Sequence, residues 1–215
     1  HQMDIVRLLA GGEVASVRAL TGRWDPKRPT EGAYSALLSF ANGAIGNATY
    51  NGYGYFDSDA LMDGVGELGR PKDPQTHPQT RARLRAVRDE AAEAALKAQR
   101  NFGGPLYTPA PTELPGACQH FGPILVSCEH GDLRLTPRGV QVFDDQGTHF
   151  VPAKIPAVPR GEVIDELWAV ARQGRPALHS GRWSRATLEV CLALLASQQT
   201  GADILLRQQV SLPPI

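Results

Sequence analysis

Two strand-like runs, Ala33 to Phe40 and Ala44 to Tyr53, meet at Asn42-Gly43, and no other stretch constrains the fold as tightly. Both runs are rich in apolar, aromatic and Thr residues. Asn-Gly is the dipeptide that best tolerates the two positive φ angles of a type I′ turn, so the stretch is read as an antiparallel hairpin closed by that turn. Its second strand ends in a polar, aromatic mouth of Tyr50, Asn51, Tyr53, Tyr55 and Asp57, interrupted by Gly52 and Gly54. Glycines there indicate a bulge or a close approach by another group. A ligand site and an oligomer contact both fit such a strand end.

Around the hairpin, periodicity predicts the remaining elements. Ile5, Val6, Leu8 and Leu9 form a helical stripe through Met3–Ala10 that Gly11-Gly12 stops. Glu13–Arg23 reads as a strand burying Val14, Val17 and Leu20, and a loop from Trp24 to Thr30 leads into the hairpin. Pro78–Arg100 is rich in Ala, Arg, Glu and Leu and is predicted as one largely solvated helix. A proline-rich loop, Leu106–Gly116, follows it. Strands are expected at Pro123–Glu129, Asp132–Thr136, Val140–Asp144 and, as an edge, His149–Val151. Glu162–Gln173 is predicted to bury Val163, Ile164, Leu167, Trp168 and Ala171. Arg182–Gln199 is predicted to bury Leu188, Cys191, Leu192 and Leu195, and a last strand spans Ala202–Arg207. The sum is an α+β domain over 1–215: a largely antiparallel open sheet with helices on one face, and a helical, Pro-rich excursion at about 70–117 between two parts of that sheet.

Composition removes several function classes. Lys plus Arg and Asp plus Glu are 22 each, so no basic footprint points to nucleic acid or an anionic membrane. No apolar run approaches a membrane span, and no charged-then-apolar leader opens the chain. Cys118, Cys128 and Cys191 lack paired spacing, which fits a reduced, cytoplasmic protein. His1 falls directly into a helical pattern, as though the chain had been cut from a longer one; a leftover tag residue is the other reading of His1.

Several patterns compete for chemistry. Gly64-Val-Gly-Glu-Leu-Gly69 matches GxGxxG. That fingerprint works only where it opens a helix toward a pyrophosphate, and Pro71 and Pro74 follow at once, so it is rejected. Glu129-His-Gly-Asp132 holds metal-ligand residue types at a hairpin turn, where Gly and Asp serve the turn, and no metal is expected. His1 and Asp4 share a helix face, the arrangement of a His whose tautomer a carboxylate sets. From spacing alone, an N-terminal His with Asp4 as a favourable charge at a helix start fits better. Arg23, Lys27, Arg28, Arg70 and Lys72 flank the hairpin and suit an anionic ligand, although solvated loop charges need no ligand. His179-Ser-Gly-Arg182 offers donors to an anion, against the simpler reading of Ser180 as a helix N-cap.

Beyond these patterns, His1-Gln-Met-Asp4, its apolar helix, Gly11-Gly12 and the Val-rich strand to Val17 resemble the opening of the C-terminal domain of the Gfo/Idh/MocA oxidoreductases. Ala36 to Gly46 resembles that family's strand, Asn-Gly-Ala, strand phrase, and the tail from Ile164 through Gly174-Arg-Pro176 to Ser197 its last two helices. Thr21–Tyr34, Tyr50–Tyr53 and Gly181–Cys191 resemble more narrowly the branch that oxidises phthalate 4,5-cis-dihydrodiol to the catechol.

The resemblance implies a dihydrodipicolinate-reductase-like fold whose N-terminal Rossmann domain, with NAD or NADP and a catalytic Lys, is absent here. It implies catalytic His1 with Asp4 in support, and this half alone is expected to be inactive. Arg23, Arg28, Tyr53, Arg70 and Lys72 are the expected contacts to an anionic substrate. The expected partners are that small molecule, the chain's own Rossmann domain, and further copies through the open sheet face. A sugar or polyol dehydrogenase, or a non-catalytic assembly domain, are the alternatives.

Overall fold

The computed structural model describes residues 1–28, 30–109, 111, 113–155 and 160–212. The loop expectations at Pro29, Ala110 and Thr112 lie outside the described residues. In chain order the elements are α1 (Gln2–Ala10), β1 (Val14–Gly22), β2 (Ala33–Phe40), β3 (Ile45–Asn51), a 3₁₀ turn (Ser58–Met62), α2 (Thr76–Ala86), α3 (Glu90–Ala98), β4 (Ile124–Cys128), β5 (Gly131–Thr136), β6 (Gly139–Asp144), β7 (Gly147–Pro152), α4 (Gly161–Gln173), α5 (Gly181–Thr200) and β8 (Ile204–Leu205). The α+β class and antiparallel pairing are as expected. The strands do not continue as one sheet, however. They form two four-stranded sheets, β3-β2-β1-β8 and β4-β5-β6-β7. The chain accordingly divides into two compact units, His1–Gly54 with Val163–Ile215, and Tyr55–Glu162.

In the first unit, Leu38 pairs with Gly46, Ala36 with Ala48, and Val17 with Leu38. These positions put Val17, Ala36, Leu38, Phe40 and Ala48 on one face, in a core shared with Met3 of α1 and Val190, Ala193 and Leu194 of α5. A fully buried Leu such as Leu38 contributes about 1.5–3 kcal/mol. The hairpin turn differs from the type I′ expectation. Phe40 N–H donates to Ala44 O at 3.0 Å and Gly43 N–H to Phe40 O at 3.0 Å, so residues 41–43 form the loop and only Gly43 takes a positive φ, 89°. Asn42 is instead held by its side chain, donating to Ala10 O at 2.9 Å and accepting Ala44 N–H at 3.0 Å. The turn thereby fastens the end of α1.

Three burial expectations are corrected. Leu20 is exposed, because a register shift between Val14 and Ser16 lets Val14 and Val17 share the inner face and sends Leu20 outward. On α5 the buried stripe is Trp183, Ala186, Val190, Ala193, Leu194 and Ser197, while Leu188, Cys191, Leu192 and Leu195 face outward. Small residues on the inner face bring the helix close to β1, and Ser197 takes part directly. Its Oγ accepts Ala19 N–H at 2.9 Å and donates to Ala202 O at 2.8 Å. Ser197→Ala leaves both buried groups without that partner and is expected to cost about 1–3 kcal/mol, read as a lowered urea midpoint at constant slope. On α4, Val163, Ile164, Leu167 and Trp168 are each more than half exposed, and Ala171 is exposed too, contrary to the predicted buried stripe. Helical spacing identifies an apolar face but not what covers it.

In the second unit, β4 to β7 form a meander with β7 exposed throughout as its outer strand. The single helix expected over Pro78–Arg100 is two, because Asp89 leaves helical geometry and caps α3 by accepting Ala92 N–H at 2.9 Å. The GxGxxG stretch is a compact turn: Gly66 N–H donates to Arg70 O at 2.8 Å and Val65 bridges to Pro71. No helix opens from it. No helix among the described residues is long and apolar enough to cross a membrane, and none of their His, Cys, Asp and Glu side chains group so as to hold a metal.

Candidate functional site

Chemistry-bearing side chains of the first unit converge where α1 begins. His1 is the N-cap of α1; its carbonyl accepts Ile5 N–H at 3.0 Å and its side chain, exposed, makes no capping bond. One turn on, Asp4 faces α5. Its Oδ1 accepts from Trp183 Nε1 at 2.5 Å and from Thr187 Oγ1 at 2.9 Å. Gln2 bridges to the sheet, donating to Thr49 O at 3.1 Å and accepting the Tyr34 hydroxyl proton. Tyr34 stacks on Tyr50 with centroids 5.9 Å apart. Burial first, and then Cys191 and Tyr50, push the Tyr34 phenol up to about 12, so it stays a neutral donor.

Beneath Asp4 lies Arg7, fully buried. Its Nη1 donates to Trp183 O at 3.1 Å and Thr187 Oγ1 at 2.7 Å, and its Nε to Gly12 O at 3.2 Å and Gln209 Oε1 at 3.1 Å. The guanidinium lies 3.9 Å from the Trp183 ring centroid. Burial lowers its pKa against the opposing pull of Asp4 and Glu189. Asp4 Oδ1 is therefore held by a buried frame spanning α1, α5 and the C-terminal segment.

Beside this frame, His179 precedes α5, where Ser180 is indeed the N-cap, accepting Trp183 N–H at 3.2 Å. Glu166 of α4 takes the His179 backbone N–H at 2.9 Å and lies 2.7 Å from Nδ1. The hydrogen bond from the His179 ring, followed by that from its backbone, holds the Glu166 carboxyl below the usual range. A depressed carboxyl contributes stability that is complete above the ordinary carboxylate range and disappears as pH falls through the folded value. Glu166→Gln is thus expected to lower stability at neutral pH and to lessen its loss on acidification, measured as urea midpoints over a pH series; parallel curves for the two proteins would exclude this.

The residues expected to bind substrate divide between the units. In the first, Arg23 Nη2 donates to Pro26 O at 3.3 Å, Arg28 Nε lies 3.8 Å from Asp25, and Tyr53 packs on Trp24 with centroids 5.4 Å apart. In the second, Arg70 donates to the carbonyls of Glu113 and Pro111. Lys72 Nζ lies 2.8 Å from Asp57 Oδ2 and 2.7 Å from Asp59 Oδ2. Burial is the largest single influence and opposes the charge on Lys72 and on Asp57, yet their mutual hydrogen bond, the bonds to Asp59 and the attraction between the charges together outweigh it, raising the first and lowering the second. The Lys72 charge is balanced within its own loop. Sequence reasoning missed Arg7, Glu166, Trp183 and Thr187, which come together only through folding. His179 was visible as a donor, but Glu166, thirteen residues earlier, gave no spacing signal.

Residues 1–71 match the model of the GFO/IDH/MocA C-terminal domain. The 1-carboxy-3-chloro-3,4-dihydroxycyclohexa-1,5-diene dehydrogenase of Comamonas testosteroni is 40% identical over 195 residues, which cover 91% of this chain and 49% of that protein. The crystal structure of a protein of Bordetella bronchiseptica RB50 described as a dehydrogenase is similar with TM-score 0.82 and 41% identity, covering 95% of this chain and 52% of the other. An Agrobacterium radiobacter oxidoreductase, solved with NAD+, L-tartaric acid and magnesium, shares the fold at TM-score 0.57 and 16% identity, over 94% of this chain and 46% of that one. The chain spans about half the length of these relatives.

Proposed function

This chain belongs to the GFO/IDH/MocA oxidoreductase family as its C-terminal domain, and from that premise we propose that it is the substrate-binding and assembly half of a dehydrogenase that oxidises a carboxylated cis-dihydrodiol to the catechol, with the 4,5-cis-dihydrodiol of phthalate as substrate. The observation that carries this reading is the 40% identity, across 91% of the chain, to a dehydrogenase whose named substrate is a carboxylated dihydroxycyclohexadiene.

His1 is the group that accepts the hydroxyl proton, since an imidazole is a side chain suited to general-base work at neutral pH. Asp4, with Oδ1 fixed by Trp183 and Thr187, supports the turn that carries His1. Arg23 and Arg28, with Tyr53, supply donors for substrate carboxylates. The family implies NAD or NADP. The described residues do not fit a dinucleotide: the one glycine pattern suggesting it is a turn closed on Arg70 and Pro71, with no helix N-terminus to receive a pyrophosphate. Binding of the nicotinamide is assigned to the chain's own Rossmann domain. Assembly is assigned to the open sheet face, where Leu20, Leu37, Ile45 and Leu205 are exposed. A cytoplasmic location belongs to the same reading.

The test is an absorbance assay of the whole protein with NAD+ or NADP+ and, in turn, the phthalate cis-dihydrodiol, a monocarboxylated cis-dihydrodiol and myo-inositol. Reduction with the phthalate diol at the highest kcat/KM supports the full proposal. Preference for the monocarboxylated diol retains the reaction and corrects the substrate, and turnover of inositol alone overturns both.

A further inference from the structure

Asp4 has two carboxylate oxygens, and neutral donors occupy one of them. Oδ1 holds Trp183 and Thr187; Oδ2 looks toward His179, whose Nε2 is 4.0 Å away. On the far side of the same imidazole, Glu166 Oε2 lies 2.7 Å from Nδ1 and Glu166 Oε1 takes the His179 backbone N–H at 2.9 Å. A carboxylate at hydrogen-bond distance determines which ring nitrogen keeps a proton in the neutral imidazole. Here it is Nδ1, donating to Glu166. Nε2 is then the nitrogen that gains or loses a proton, and it faces a second carboxylate.

We infer that Glu166, His179 and Asp4 form one acid–base unit in which His179 is a positioning residue: through its Nε2 proton it sets the placement of Asp4, and through Asp4 that of the first turn of α1, where His1 stands. The functional consequence rests on the dehydrogenase reading above; the unit itself does not.

The three members come from α4, the segment before α5, and α1, so no single element holds them together. Protonated at Nε2, His179 lies between two anions and draws them inward. Deprotonated, it turns a lone pair toward Asp4 and the attraction ceases. A separation of 4.0 Å is within ion-pair range but long for a hydrogen bond, so a small closing movement completes the contact. The charged groups facing the ring are Glu166 from α4 and Asp4 from α1, with Arg7 behind Asp4 attracting the same carboxylate. The α5 side presents the neutral Trp183 and Thr187. The exposures also suit the role: the His179 side chain is 54% accessible and Asp4 28%, so protons reach the imidazole from water. A purely structural tie between α4 and α5 requires only the Glu166 contacts and would make no use of Nε2.

The test uses the 215-residue chain for nuclear magnetic resonance of the imidazole nitrogens and the whole dehydrogenase for kinetics. In the chain, Glu166→Gln is expected to abolish the protected Nδ1–H signal of His179. Asp4→Asn is expected to shift the Nε2 signal, whereas Asp203→Asn, at an exposed site paired with Arg18, leaves it unmoved. In the whole enzyme, His179→Gln and the shape-conserving Glu166→Gln are expected to change the form of the kcat/KM–pH profile, with loss of one limb, while KM changes little. An Nε2 signal that ignores Asp4→Asn overturns the inference, as does a profile merely scaled down uniformly in both variants. Ring signals that respond as expected in a protein that turns over no diol would uphold the acid–base unit and overturn the dehydrogenase reading instead.

Discussion

Replacing Arg7 with methionine is expected to lower the unfolding free energy by about 3 kcal/mol, because two buried backbone carbonyls lose their donors at about 1–3 kcal/mol each. Those carbonyls belong to Gly12, just after α1, and to Trp183, in the first turn of α5, where the longer 3.3 Å contact from Thr187 Oγ1 is the side-chain donor that remains. The side-chain acceptors, Thr187 Oγ1 and Gln209 Oε1, can reorient and lose less. Methionine restores part of the apolar packing over Trp183 but supplies no donor. For a chain of this size 1 kcal/mol corresponds to roughly 2–4 °C, so the melting temperature falls by about 6–12 °C. Arg18 is the control. Its ion pair with Asp203 is 3.9 Å long with both side chains largely exposed, and Arg18→Met is expected to cost below about 1 kcal/mol. Equal effects at the two positions would show that Arg7 is not the keystone of the frame beneath Asp4.

Arg7 also marks where sequence reading stops. An arginine in an apolar helical stripe reads as a solvated charge, since burying a cation is costly unless several acceptors converge on it. The acceptors for Arg7 come from positions near 12, 183, 187 and 209, which nothing in the spacing connects. The hairpin was legible because its signals are local: alternation along two runs and a dipeptide with a special backbone preference. Even there, the turn type depended on a distant fact, the bond from Asn42 to the carbonyl of Ala10. The breaks in α2–α3 were readable in principle from Asp89, an N-cap residue inside a helical composition. The buried face of α5 was not, because its outward leucines are more hydrophobic than its inward alanines and serine. Proximity to β1 selects small residues, and hydrophobicity alone ranks the two faces in the wrong order. At the site, His1 and Asp4 were visible as a pair of residue types, whereas Glu166 and His179 became a pair only when α4 and the segment before α5 were brought together.

In the proposed dehydrogenase, with His1 as the proposed base, His1→Ala is expected to lower kcat/KM by about 10²–10⁴-fold, the usual contribution of a positioned general base. The same change is expected to leave stability within about 0.5 kcal/mol. The structure makes this combination specific. The His1 carbonyl accepts Ile5 N–H and starts α1, and alanine keeps that bond; the imidazole makes no capping contact. A large kinetic effect would therefore belong to the ring and not to a damaged helix. Asp4→Asn separates the support from the base. Asparagine presents a carbonyl oxygen that still accepts from Trp183 Nε1, so the frame survives, but the negative charge is gone. A partial loss in kcat is expected, smaller than for His1→Ala. Added imidazole is expected to restore part of the rate to His1→Ala and none to Asp4→Asn, because only the former leaves a space of the right shape beside the substrate hydroxyl. Should His1→Ala retain wild-type kcat/KM over the whole accessible pH range, the assignment of the base fails, and the acid–base group facing Asp4 from the other side, His179, becomes the residue to which the proton must go.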